Sequence, residues 1–195
     1  ITRYEEGKDY PIYLRKKGAL TAKEEVLFDC NEMAQGKDYF RLVGISVSPD
    51  NTKVAFGIDT VSRRQYTLKI KDLISGKLLE TKIENTTGGS VWAADNATLF
   101  YNKKDDQTLR SEAVYKHQIN STKQADQLVY EEVDETYSVY VSSSKSREFI
   151  FISSHSTTTS EHRFIRSDQP EADFKIIQTR TTGLEYDVAH FGDHF

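Results

Sequence analysis

Cysteine, proline and long apolar runs are all scarce in this chain. Its 195 residues include one cysteine, Cys30, three prolines, one methionine and one tryptophan. A single thiol excludes an internal disulfide framework and a multi-cysteine metal knuckle, and it fits a reducing compartment, so a cytoplasmic location is expected. No apolar run approaches the roughly 18 residues of a membrane span, and no charged-then-apolar leader opens the chain, so a soluble chain without a membrane partner is expected. Charge of one sign is also missing: the formal net charge is -4, with Lys and Arg spread among Asp and Glu. Without a basic stripe to neutralise phosphates, nucleic acid is not an expected partner.

Aromatic and β-branched residues are plentiful. Eleven Tyr and ten Phe accompany many Val, Ile and Thr, and long segments of 3.6-residue period are almost absent, which favours strands. "RQYTLKIKDL" alternates, with Tyr66, Leu68 and Ile70 on one face, and "ETYSVYVSSS" repeats the pattern through Tyr137, Val139 and Val141. "EFIFISSH" is continuously apolar, as expected of a strand covered on both faces, and "PIYLRKKG" adds a short strand. One helical turn is expected in "DCNEMAQGKDYF", with Asp29 or Asn31 as N-cap and Gly36 as its stop.

Aligning the turns brings out a repeat. "SVSPDNTKVAFGID", "SVWAADNATLFYNK", "SVYVSSSKSREFIFISS" and "DVAHFGDHF" share a short apolar lead-in, a polar turn and an apolar strand. Their turn residues Asp50, Asp95, Lys145 and Asp193 are 45, 50 and 48 apart, close to the period of four-stranded propeller blades. The expected fold is all-β, a partial β-propeller of three to four four-stranded antiparallel blades. A two-sheet sandwich would not produce such regular spacing.

Short motifs with chemical meaning fare poorly. Gly88, Gly89 and Ser90 resemble the start of a hydrolase nucleophile loop, yet Val91 and Trp92 follow where small residues and a helix are required. "SSSK", Ser142 to Lys145, has Ser-x-x-Lys spacing but reads as a turn between strands. His190 and His194 are four apart but flank a Gly-Asp turn, with no third ligand evident. No catalytic, cofactor or metal residue is therefore assigned. Sequons at Asn85, Asn96 and Asn120 matter only in a glycosylating pathway. Two charged stretches are candidates for contact with a partner: "SRRQY", with Arg63 and Arg64, and "YEEVDET", with Glu131, Glu132, Asp134 and Glu135.

The block from Glu24 to Lys77, "EEVLFDCNEMAQGKDYFRLVGISVSPDNTKVAFGIDTVSRRQYTLKIKDLISGK", resembles the N-terminal propeller of the prolyl oligopeptidase family. "RRQY" and "LVYEEVDETYSVYVSSSKS" resemble its oligopeptidase B branch in particular, and "TTSE" and "EYDVAHFGDHF" agree. The resemblance implies a two-domain cytoplasmic serine peptidase cleaving oligopeptides after Arg or Lys. A seven-bladed propeller there covers an α/β-hydrolase domain that holds Ser, Asp and His. No position here matches that triad, and the Gly-Gly-Ser-x-Gly-Gly motif is absent. Residues 1–195 are then expected to be part of the propeller, with gating and docking roles, no catalysis of their own, and their own hydrolase domain as partner. Arg63, Arg64, Glu131, Glu132, Asp134 and Glu135 become candidate interdomain contacts. Exposed blade edges are expected to promote self-association. The competing reading is a free-standing propeller that binds a protein partner.

Overall fold

Period-two alternation becomes strands nearly everywhere it occurs. The computed structural model describes residues 1–119 and 126–195; Asn120 lies outside them. Three strands come first: β1 (Thr2–Arg3), β2 (Ile12–Lys16) and β3 (Glu24–Asp29). Helix α1 (Cys30–Ala34) follows, its N-cap Asp29 accepting hydrogen bonds from the backbone N–H groups of Asn31 and Glu32 at 2.9 and 3.3 Å. Then come β4 (Arg41–Val47), β5 (Lys53–Asp59), β6 (Tyr66–Asp72), β7 (Leu78–Trp92), β8 (Thr98–Lys104), β9 (Ser111–Gln118) and β10 (Gln127–Glu131). The last four are β11 (Ser138–Ser143), β12 (Phe149–His155), β13 (Ser160–Arg166) and β14 (Lys175–Ile176). All pairings among them are antiparallel.

These strands make four consecutive blades of a propeller. Blade A is β1-β2-β3, three-stranded among the described residues, and blade D is β11-β12-β13-β14. Between them runs one seven-stranded sheet, β4 to β10, in which the 15-residue β7 belongs to two blades. Its first half pairs with β6 and completes blade B; its second half pairs with β8 and opens blade C. The blades do not close into a ring.

Alternate side chains of one strand feed different blade interfaces. In β8, Leu99 and Tyr101 pack toward blade B with Ala55, Leu68 and Ile70, while Phe100 packs toward blade D with Val139, Ile150 and Ile152. In β5, Val54 and Phe56 face blade A with Leu27, Phe28 and Phe40, whereas Ala55 faces blade C. The core is thus three layers between four blades, and the central strands are apolar on both faces because both are covered. Each fully buried Leu, Ile or Phe contributes about 1.5–3 kcal/mol. Cys30 lies in the first layer, where burial, and secondarily the charge of Asp29, pushes its thiol up to about 11. At neutral pH it is an inert packing residue.

Gly88 makes a tight crossing inside β7. Between Thr86 and Ser90 the register against β8 shifts, and Gly88 has φ +86°. A Cβ on Gly88 would meet Val43 Cγ2 at 2.5 Å and Tyr66 Cγ at 2.8 Å, and a Cβ on Gly44 or Gly57 would run into the Gly88 backbone. Three glycines let blades B and C approach backbone to backbone. Ser90 lies near the end of β7, which passes through a turn into β8 with no helix after it.

Candidate interdomain face

Strand alternation sorts the loops onto two rims. The β5–β6, β8–β9 and β12–β13 loops and the β10–β11 connection share one rim, and three contacts link its neighbouring loops. Lys104 Nζ donates to the carbonyl of Arg64 at 2.8 Å, Asn85 Nδ2 to Asp106 Oδ1 at 2.6 Å, and Arg110 Nη1 to the carbonyl of Glu132 at 3.2 Å. Both charged stretches singled out in the sequence therefore occupy the same side of the propeller.

The β5–β6 loop is shaped by a buried carboxylate. Asp59, at the end of β5, is 1% exposed and accepts the backbone N–H groups of Val61 and Arg64, each at 2.8 Å. Arg64 takes φ +54°, and the side chains of Arg63 and Arg64 stay exposed. Neither makes an ion pair among the described residues. Lys104 beneath them has its ammonium pushed down from the usual lysine range, first by burial and then by the nearby Arg64 charge.

The acidic run divides in two. Glu131, Asp134 and Glu135 are exposed, and Asp134 caps its own turn by accepting from Thr136 N and Oγ1 at 3.0 and 2.7 Å. Glu132 turns inward and is 4% exposed. Its carboxylate accepts Arg180 Nη2 at 2.6 Å, Ser154 Oγ at 2.5 Å, Tyr130 Oη at 2.9 Å and Asp134 N at 3.2 Å. Burial alone would raise this carboxyl, but the donors from Arg180, Ser154 and Tyr130 outweigh it and hold it down at about 2.

Arg180, in turn, lies 3.8 Å over the Tyr137 ring, and its backbone N–H donates to Glu161 Oε2 at 3.0 Å. Glu161 Oε1 sits 2.7 Å from Arg163 Nη1, an ion contact off the hydrogen-bond direction. Two carboxylates and two guanidiniums therefore balance where blades C and D meet. The sequence reading missed Arg180, Glu161, Arg163 and Ser154. The usable signal was the repeat, since Arg180 follows Glu132 by 48 residues, one blade period.

Other candidate chemistry disperses. Ser90 Oγ has no hydrogen-bond partner, Ser142 and Ser143 lie in β11 rather than a helix, and His190 Nδ1 contacts Ser146 Oγ at 2.8 Å. On this rim Arg63, Arg64, Glu131, Asp134 and Glu135 are exposed, as are Val61 and Val133 in the same two stretches, at 63% and 84%.

Comparison with known proteins fixes the family. The family model for the prolyl oligopeptidase N-terminal beta-propeller domain matches residues 1–195. The chain belongs to that family. It is 36% identical over 208 residues to dipeptidyl aminopeptidase BI of Pseudoxanthomonas mexicana, covering 99% of this chain and 29% of that protein. To Protease 2 of Moraxella lacunata it is 34% identical, covering 98% of this chain and 29% of that protein. The structure of oligopeptidase B from Leishmania major superposes with a TM-score of 0.88 at 30% identity, over 98% of this chain and 28% of that one. The chain thus spans less than a third of the length of these relatives, and within the prolyl oligopeptidase family it corresponds to N-terminal propeller blades.

Proposed function

We propose that this chain is the gating and docking part of a cytoplasmic serine oligopeptidase that hydrolyses peptides after Arg or Lys, with the reactive serine in a partner α/β-hydrolase domain on the same polypeptide. The observation that carries the reading is the family match along the whole chain, joined by likeness to proteins named Protease 2 and oligopeptidase B. A propeller over a buried active site excludes folded proteins and admits short flexible peptides, so size selection follows from access. The rim bearing Arg63, Arg64, Glu131, Asp134 and Glu135 is the docking face, and Glu132 acts behind it by fixing the β10–β11 connection.

The test joins the chain to the hydrolase domain encoded with it. The joined polypeptide is expected to cleave an Arg-containing chromogenic peptide, and the purified 195-residue chain is expected to leave it intact. Turnover by the chain alone, or a reading frame that encodes only further blades, would overturn the proposal.

A further inference from the structure

The rim opposite the docking face holds a cavity that the gating role leaves unexplained. It encloses about 420 Å³ where β4, β7 and β11 run into their turns, so three consecutive blades contribute to its wall. Its frame is fixed across blades: Asp50 N donates to Asn96 Oδ1 at 2.8 Å, Ala94 N to the carbonyl of Ser167 at 2.8 Å, and Trp92 Nε1 to the carbonyl of Ser46 at 2.9 Å. Val91, Trp92 and Ile150 supply apolar wall, and Ser46 and Ser90 also line it. Ser90 Oγ is buried without a hydrogen-bond partner, although a strand interior normally satisfies such a group. Arg147 lies at the cavity wall, and its guanidinium has no ion pair among the described residues.

We infer that this cavity is a subsite for the free C-terminal carboxylate of a short oligopeptide, with Arg147 as the anchor. A guanidinium matches a carboxylate in a two-point, charge-assisted hydrogen bond. The apolar wall covers the last side chains of the peptide. The volume falls within the range of small-ligand sites and suits a chain end rather than a folded surface. The inference rests on the proposed function only in taking an oligopeptide as the ligand class. It concerns binding on the rim away from the docking face, not cleavage.

Trp92 provides the readout, since it is the only tryptophan of the chain and lines the cavity. Titration of the 195-residue chain with acetyl-Ala-Ala-Phe-Ala bearing a free carboxylate is expected to change Trp92 emission saturably. Amidation of that peptide, or Arg147→Gln, is expected to weaken binding by about tenfold or more, as loss of a charge-assisted pair requires. Arg147→Lys is expected to retain part of the affinity. The turn survives these changes because Arg147 holds it through its backbone, N–H to Ser144 and C=O to Ser167 Oγ; an unchanged thermal midpoint checks this. Equal binding of acid and amide, no effect of Arg147→Gln, or no saturable binding would overturn the inference. So would equally tight binding of an amidated peptide with an internal glutamate, which would make the site one for acidic side chains. Cleavage of the chromogenic peptide by the joined polypeptide is measured separately, so failure here and failure of the proposed function remain distinct.

Discussion

The junction between blades B and C and the junction between blades C and D solve one packing problem with different chemistry. At B–C, Gly44, Gly57 and Gly88 bring backbone against backbone, and Trp92 Nε1 bonds the Ser46 carbonyl. At C–D, Glu132 takes the Arg180 guanidinium, and Asn102 mimics a strand by donating to the Val139 carbonyl at 3.0 Å and accepting Val141 N at 2.9 Å. Apolar layers lie at both. The glycine contact has no titratable part, whereas the ionic one depends on protonation and on every partner remaining in place. The ionic junction also lies beneath the rim that carries Arg63, Arg64 and the acidic run.

The largest expected effect breaks the steric side. Gly57→Ala drives a Cβ into the Gly88 backbone and is expected to cost about 3 kcal/mol or more in urea unfolding, a severe case because no side chain can rotate away. Gly89→Ala, where nothing lies within 4 Å of the added atom, is the control and should change the midpoint little. On the ionic side, Arg180→Ala strands the Glu132 carboxylate in the interior and is expected to cost about 3 kcal/mol, with part recovered when Glu132→Gln is added.

Protonation separates the two junctions more finely. The Glu132 carboxyl sits at about 2 in the fold, against an ordinary value of 4.5. The unfolded chain therefore binds the proton more readily between those values. The stabilisation is complete above about pH 4.5 and is lost as pH falls toward 2, amounting to about 3 kcal/mol across that window. Denaturation midpoints measured against pH should lose this component in Arg180→Ala and keep it in Gly89→Ala. The smallest of these effects is expected for Asn102→Ala, about 1–2 kcal/mol, because the Val139 carbonyl and Val141 N–H lose their side-chain partner.

Much of the architecture was legible because several blade strands alternate with a period of two and blade turns recur at about 45–50 residues. Tyr66, Leu68 and Ile70 pointed inward as read, Asp29 capped α1, and the Asp95-Asn96 turn fell where the repeat placed it. The sharing of β7 between two blades was not legible, since its change of role depends on a bulge at Gly88 that pairing, not composition, creates. The candidate site was legible only as charge. Sequence showed an acidic run but not which member turned inward, because that is decided by Arg180 a full blade later. The bonds Trp92 to Ser46, Asp50 to Asn96 and Glu132 to Arg180 span 46, 46 and 48 residues. Blade-to-blade contacts follow the repeat, which makes the period a guide to partners as well as to fold.

The rim carrying Arg63 and Arg64 is proposed to dock onto a hydrolase domain and to control peptide access. The most direct measurement compares kcat/KM for a chromogenic dipeptide and for an Arg-containing peptide of about thirty residues, in the joined polypeptide with and without Arg63→Glu and Arg64→Glu. A changed ratio of the two values is expected, while the purified 195-residue variant unfolds at the unaltered midpoint. An unchanged ratio, with both activities as before, would contradict the proposal.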